Sequence, residues 1–262
     1  MRTRLDAELV RRGLARSREN AQELIENGRV QVAGMPARKS STQVDAETSI
    51  SVSGNFEEFV SRGAHKLIGA LEAFKDLRVE DRRALDAGAS TGGFTEVLLK
   101  RGVGEVIAVD VGYGQLAWQL QTDPRVKIFD RTNVRAISLD LIGPPVDLIV
   151  ADLSFISLKT VLPALASVAH SDTDFLLMVK PQFEVGREQL GAGGVVREPE
   201  LRKTAIIGVA REAERFDLGC LGIAASPLPG PSGNVEYFLW LRRGAPTVEL
   251  ADVDSAIARG PE

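Results

Sequence analysis

Asp86-Ala-Gly-Ala-Ser-Thr-Gly-Gly-Phe94 constrains this chain more than any other stretch. An apolar approach, an acid and a run of small residues form a strand-to-helix turn that leaves room for a ligand. Glycines let the backbone bend sharply and approach a bound group without a Cβ in the way, and the first amides of the following helix point outward as donors. No lysine follows the last glycine, so the loop lacks the residue that a Walker loop places on the β- and γ-phosphates, which disfavours kinase or GTPase chemistry. About twenty residues on, Glu105-Val-Ile-Ala-Val-Asp110 is a second apolar run ending in an acid, where a doubly wound sheet holds a ribose diol. The pairing predicts an adenosine-containing cofactor. The bland alternative is an ordinary tight turn after a strand-end Asp.

The chain has 262 residues, 44% hydrophobic and 26% charged, enough for one full α/β core and a small second module. No apolar run approaches the roughly 20 residues of a membrane span, and no apolar segment follows the charged start, so the cytoplasm is the expected location and no membrane partner is expected. Cys220, the single cysteine, sits between Gly219 and Leu221 and reads as a structural thiol. With only His65 and His170 besides, no metal site is expected. The net charge of −4 conceals an asymmetry: residues 1–40 carry nine Arg or Lys against five Asp or Glu. A basic end on an acidic body suits a polyanion partner.

Thr3-Arg-Leu-Asp6 reads as a capping box for a helix that Gly13 stops. Ser17 caps a second helix running to Gly28, and Arg29-Val-Gln-Val32 alternates as a strand. This ααβ unit, with its R-L-D-x-x-L-V-R-R-G-L-A-R-S-R pattern continuing to G-R-V-x-V-x-G, resembles the small RNA-binding domain first recognised in ribosomal small-subunit protein four. The resemblance implies binding of structured RNA through phosphates and shape. Arg4, Arg16, Arg18 and Lys39, with Arg62 further on, are the expected RNA contacts. The expected organisation is this module over 1–55, a linker over 56–61, a catalytic domain over 62–245 and a tail over 246–262.

In the second domain, strands are expected at 83–87, 105–110, 126–130, 146–151, 174–180, 218–225 and 235–242. Helices are expected near 64–74, 93–100, 115–121, 158–168 and 199–216. The α/β alternation predicts a parallel sheet. Seven strands ending in a pair joined by Pro227 to Gly233 resemble the class I S-adenosylmethionine-dependent methyltransferase fold, a Rossmann-like sheet whose last strand inserts antiparallel. Ligands in such sheets lie beyond the carboxyl ends of the strands, and four charged residues fall at or near such positions: Lys66, Asp152, Lys180 and Glu236. A Lys, an Asp, a Lys and a Glu on one rim suit methylation of a hydroxyl, which needs a tuned amine to accept or steer its proton. Taken singly, each reads more readily as half of a strand-end salt bridge; four in this order at strand ends reverse that preference. Asp152-Leu-Ser-Phe-Ile-Ser157 lacks the Pro-Pro of amine methylation motifs, and no nucleophilic cysteine serves cytosine C5 chemistry.

Together, Ser61 to Lys66, Asp86 to Phe94, Asp110 to Leu116, Asp152 to Ser157, Lys180-Pro-Gln-Phe-Glu184 and Pro227 to Glu236 closely resemble the TlyA family. Its members are called both haemolysins and ribosomal RNA cytidine-2′-O-methyltransferases. The resemblance implies S-adenosyl-L-methionine as cofactor, held by Asp86, Gly88, Ser90, Thr91, Gly92 and Phe94, with the ribose on Asp110 and the adenine near Asp130 and Arg131. It implies a catalytic tetrad shared with FtsJ-type enzymes: Lys180 as base or proton-steering group, tuned by Asp152 and Lys66, with Glu236 holding the substrate ribose or Lys66. It also implies ribosomal RNA or ribosomal subunits, 16S and 23S, as partners of a monomeric enzyme. Two rivals from other classes are a membrane-active haemolysin and a non-catalytic RNA-binding protein with a vestigial cofactor fold. The helix after Pro199 alternates charges with Leu201, Ala205, Ile206 and Val209, as a helix packed on a sheet does, which argues against membrane insertion. The glycine-rich stretch Gly186 to Gly194 is expected to act as a lid, with Arg187 reaching a phosphate.

Overall fold

A computed structural model of the chain describes residues 3–12, 14–15, 17–45, 47–52, 59–230 and 232–261, leaving aside the side chains of Arg187 and Ala192. The chain divides into two units, Met1–Glu58 and Phe59–Glu262. Gly13, Arg16 and the 56–58 part of the expected linker lie outside the described residues, as does the side chain of Arg187. Residues 59–61 belong with the second unit: Phe59 is buried and the Val60 amide donates to Glu96 Oε2 at 2.6 Å.

In the first unit, β1 (Thr3–Arg4) leads into α1 (Leu5–Arg11) and α2 (Arg18–Glu26), followed by β2 (Val30–Val32), β3 (Met35–Pro36), β4 (Gln43–Val44) and β5 (Ile50–Val52). Leu5, Leu9, Ala21, Ile25, Val30 and Val44 form its core. Ser17 caps α2 as its sequence position predicts, accepting from the Asn20 amide at 3.1 Å. The capping box at Thr3 does not form. Thr3 pairs with Val44 across an antiparallel β1–β4 bridge, and the first amides of α1, those of Leu5 and Asp6, donate to the carbonyls of Thr42 and Ser40. The 40–44 segment thus satisfies the helix start that a Thr hydroxyl would otherwise serve.

The second unit runs α3 (Gly63–Ala73), β6 (Arg83–Ala87), α4 (Gly93–Lys100), β7 (Glu105–Val109), α5 (Trp118–Gln121), β8 (Val126–Phe129), α6 (Leu139–Ile142), β9 (Val146–Ala151), α7 (Leu158–Ser167), β10 (Ala169–Val179), α8 (Pro181–Glu184), α9 (Pro199–Glu214), β11 (Leu218–Ala225), β12 (Tyr237–Arg243) and α10 (Leu250–Ala258). Its seven strands order as β11-β12-β10-β9-β6-β7-β8, with β12 antiparallel to both neighbours and the rest of the ladder parallel. This is the class I methyltransferase sheet expected from the sequence. On one face Val106 and Phe238 of the sheet pack with Leu67 of α3 and Leu98 of α4; on the other Ile107, Ile149 and Tyr237 pack with Leu162 of α7 and Ile206 of α9. Residues 246–262, expected as a tail, contain α10, whose Val253 and Ala256 are buried in that second face. Strand order reverses between β6 and β9, which opens a crevice at their carboxyl ends.

Candidate active site

The two strands at the reversal point deliver the first parts of the site. After β6 the chain turns at Gly88 (φ 90°) and Gly92 (φ 99°), the latter preceding α4. A Cβ on Gly88 would stand 2.7 Å from the backbone oxygen of Asp152, so this glycine lets the β6 and β9 ends close on one another. The Asp152 amide donates to the Ala87 carbonyl across the same gap. Asp86 is fully buried; Oδ2 accepts from the Thr95 hydroxyl at 2.6 Å, while Oδ1 has no hydrogen-bond partner among the described residues. Burial pushes the Asp86 carboxyl up to about 7; the Thr95 hydrogen bond opposes that shift, and the neighbouring Asp152 charge adds to it. A buried carboxylate oxygen without a donor, beside a backbone kept free of side chains, fits a cationic ligand group.

β7 and β8 extend the rim. Asp110 accepts from the Ser90 amide at 2.9 Å and the Gly112 amide at 2.7 Å, stitching the loop after β6 to the loop after β7. Each of its oxygens keeps a second lone pair for a ribose hydroxyl. Asp130 accepts from the Gly114 amide at 2.9 Å, and Arg131, itself at φ 52°, lays its guanidinium over the Tyr113 ring at 4.3 Å. Thr91 receives the Ala117 amide on its carbonyl. Asp86, Gly88, Ser90, Thr91, Gly92, Asp110, Asp130 and Arg131 therefore lie along the ends of three neighbouring strands. Phe94 does not face this rim: it is buried in the core, stacked on Phe238 with centroids 6.2 Å apart. Its place at the second position of α4 turns the ring inward to the sheet.

The four charged residues resolve into two ion pairs. Lys180 Nζ lies 2.5 Å from Asp152 Oδ1 and donates to Ser154 Oγ at 2.9 Å. Lys66 Nζ lies 2.5 Å from Glu236 Oε2, with side chains only 6% and 1% exposed, and Glu236 Oε1 has no hydrogen-bond partner among the described residues. Register places the pairs side by side: Val179 sits opposite Tyr237 in the antiparallel β10–β12 ladder, so Lys180 and Glu236 follow and precede the same rung. Asp152 follows β9, the other neighbour of β10.

Sequence reasoning missed several participants. Ser154 receives Lys180, and Gln182 Oε1 is buried without a partner. Phe155, 91% exposed and at φ 64°, sets its ring against Phe183 at 5.3 Å. The motifs containing them were visible; their pairings depend on which strands are neighbours. Near Glu236, Asn234 Oδ1 accepts from the Val196 amide and its Nδ2 donates to the Gly194 carbonyl, tying down one end of the glycine-rich stretch. Burial pushes the Cys220 thiol up to about 11, away from the thiolate that a nucleophile needs.

Of the expected RNA contacts, Arg4 and Arg18 converge on the buried Asp6. Arg4 Nε and Nη2 donate at 3.1 and 2.9 Å, and Arg18 Nη2 at 3.1 Å. Lys39 is exposed in the same unit. Arg62 belongs to the second unit and donates to the Pro229 carbonyl at 2.6 Å. Arg16 lies outside the described residues.

A seven-stranded sheet with an antiparallel β12, a glycine turn at its reversal point and a Lys-Asp-Lys-Glu rim define a methyltransferase. Residues 59–243 match the FtsJ-like methyltransferase family and residues 3–50 match the S4 domain, and the chain belongs to that methyltransferase family. It is 58% identical over 266 residues to the 16S/23S rRNA (cytidine-2′-O)-methyltransferase TlyA of Mycobacterium tuberculosis, covering 99% of each chain. Hemolysin A of Brachyspira hyodysenteriae is 33% identical, over 89% of this chain and 97% of that one. A solved structure bearing a hemolysin name, from Streptococcus thermophilus, superposes with a TM-score of 0.78 at 35% identity, over 98% of this chain and 95% of that one. Among the described residues, no helix is long and apolar enough to cross a membrane.

Proposed function

We propose that this chain is a ribosomal RNA cytidine-2′-O-methyltransferase that uses S-adenosyl-L-methionine. The observation that carries the reading is the pair of adjacent ion pairs, Lys180–Asp152 and Lys66–Glu236, beside a glycine turn with a donor-less buried carboxylate oxygen. Asp86 suits the cofactor's ammonium, the 88–92 turn its passage along the backbone, Asp110 its ribose, and Asp130 and Arg131 its adenine. When bound, the cofactor supplies a methyl group on a positively charged sulfur.

The protein's task is then alignment and proton handling at a ribose 2′-hydroxyl, a weak acid. As an ammonium Lys180 has three N–H donors; one goes to Ser154 Oγ, and the charge is paired with Asp152. Donor capacity is left for the 2′-oxygen. Neutral, the same nitrogen accepts the hydroxyl proton, and Asp152 stabilises the ammonium that results. Lys66 and Glu236 hold each other in place, which leaves Glu236 Oε1 as acceptor for a substrate hydroxyl. Phe155 offers an exposed ring face for a nucleobase turned out of its helix.

The proposed domains are an RNA-binding module over the first 55 residues and a methyltransferase domain from 62, which we extend past 245 to take in α10. Arg4, Arg18 and Lys39, with Arg16 and Arg62, are the proposed phosphate contacts. A monomer acting in the cytoplasm on ribosomal subunits fits this reading. Incubation of separate small and large ribosomal subunits with methyl-labelled cofactor, followed by nucleoside analysis, tests it. Label in 2′-O-methylcytidine is expected; label on a base or on another ribose would contradict it.

A further inference from the structure

The loop carrying Asp152, Ser154 and Phe155 runs from the end of β9 to the start of α7, outside both elements. Phe155 sits at φ 64°, a conformation costly for a bulky side chain that persists where its surroundings over-determine it. Those surroundings are the first turn after β10. At one end Lys180 binds Asp152 and Ser154, and in the middle Phe183 backs Phe155. At the far end stands Glu184, whose side chain is 1% exposed. Its Oε2 accepts from the Ser157 hydroxyl at 2.6 Å and its Oε1 from the Leu158 amide at 2.7 Å, with Lys159 Nζ 3.8 Å away as counter-charge. Leu158 opens α7, so this carboxylate satisfies a first-turn amide that has no partner within the helix and lies at the positive end of its dipole.

We propose that Glu184 is a positioning residue for methyl transfer: by clamping Ser157 and Leu158 it fixes the Asp152–Ser157 loop against the end of β10, holding Asp152, Ser154 and Phe155 in register with Lys180. The inference rests on the assignment of Lys180 and Asp152 to the reaction made above. A four-residue α8 cannot hold itself by its own hydrogen bonds, so the clamp fixes both partners, loop and turn, at once. Burial pushes the Glu184 carboxyl above its usual range, while the bonds from Ser157 and Leu158 and the Lys159 charge pull it back; the site accepts a desolvated acid in order to place these donors.

The test compares Glu184→Ala, Glu184→Gln, Ser157→Ala and Lys180→Ala in the full chain, by single-turnover methyl transfer to ribosomal subunits, with cofactor affinity, RNA affinity and melting measured separately. Glu184→Ala is expected to lower the single-turnover rate about 10- to 100-fold, while both affinities stay within about twofold. Glu184→Gln is expected to restore most of the rate, because an amide can accept from Leu158 and donate to Ser157. A wild-type rate in Glu184→Ala, a Gln variant as slow as the Ala variant, or a loss that appears wholly in binding would overturn the clamp. Should Glu184→Ala fail to fold, Ser157→Ala reads the same contact: a loss of about threefold or more supports the clamp, and an unchanged rate overturns it. An active Lys180→Ala enzyme would instead remove the reaction assignment on which the clamp depends.

Discussion

Asp86 carries the sharpest single-residue consequence, because its ionisation is coupled both to folding and to whatever binds beside Oδ1. The group ionises near 3.8 in an open chain and at about 7 here. The folded protein therefore holds a proton that the unfolded chain releases between those values. The contribution of this one group to the stability of the ligand-free enzyme is greatest below about pH 4, falls as pH rises toward 7 and then levels, by on the order of 4 kcal/mol in all. A cationic ligand group at Oδ1 favours the ionised form, so binding expels the proton. Cofactor affinity measured by calorimetry is expected to rise toward tenfold per unit well below pH 7 and to level off above it, and Asp86→Asn is expected to bind weakly with a flat pH profile. A wild-type profile as flat as that of the Asn variant would remove Asp86 from the cofactor site.

At the scale of elements, the close approach of β6 and β9 depends on Gly88, which combines φ 90° with a Cβ position 2.7 Å from a backbone oxygen. Gly88→Ala is expected to cost about 1–3 kcal/mol in denaturant unfolding and to abolish cofactor binding, because no side chain rotation relieves a backbone contact. Unfolding and binding both unchanged would show that the strand ends are not held together there. The same turn shows why much of this unit was legible in the sequence. Small residues between an apolar run and a periodic helix leave few options, and the structure has β6 at 83–87 and α4 at 93–100 as expected. Elements set by distant contacts were read less well. The helix expected near 115–121 shrinks to Trp118–Gln121, because the chain after Asp110 lies along the β8 end, with Arg131 and Thr132 amides donating to the Gly112 and Asp110 carbonyls. Thr3 was lost as a cap to pairing with Val44. Lys66, Asp152, Lys180 and Glu236 could be picked out by their order along the chain, but not Lys180's choice of Asp152 and Ser154 or the proposed clamp at Glu184; these follow from β9 and β10 being neighbours, a fact no local pattern encodes.

For the molecule as a whole, the proposed function has an N-terminal unit, basic over residues 1–40, and a methyltransferase unit divide affinity from chemistry. Phosphate contacts release counterions, so RNA binding is expected to weaken steeply with salt, and Lys39→Ala is expected to reduce the log–log slope by about one while sparing cofactor affinity. An unchanged slope would show that Lys39 meets no phosphate. Arg4→Ala does more than remove a charge: Asp6 is fully buried and held ionised by Arg4 and Arg18, so the variant should also unfold more readily on heating. The central claim, that the Lys180–Asp152 pair handles the proton of a ribose hydroxyl, is tested most directly by single-turnover methyl transfer at saturating cofactor and ribosomal RNA. Lys180→Ala is expected to fold, to bind both ligands within a few-fold of wild type, and to lose about 10²- to 10⁴-fold in rate, a loss in chemistry with binding retained that a purely structural ion pair would not give. A Lys180→Ala enzyme within a few-fold of the wild-type rate would contradict it.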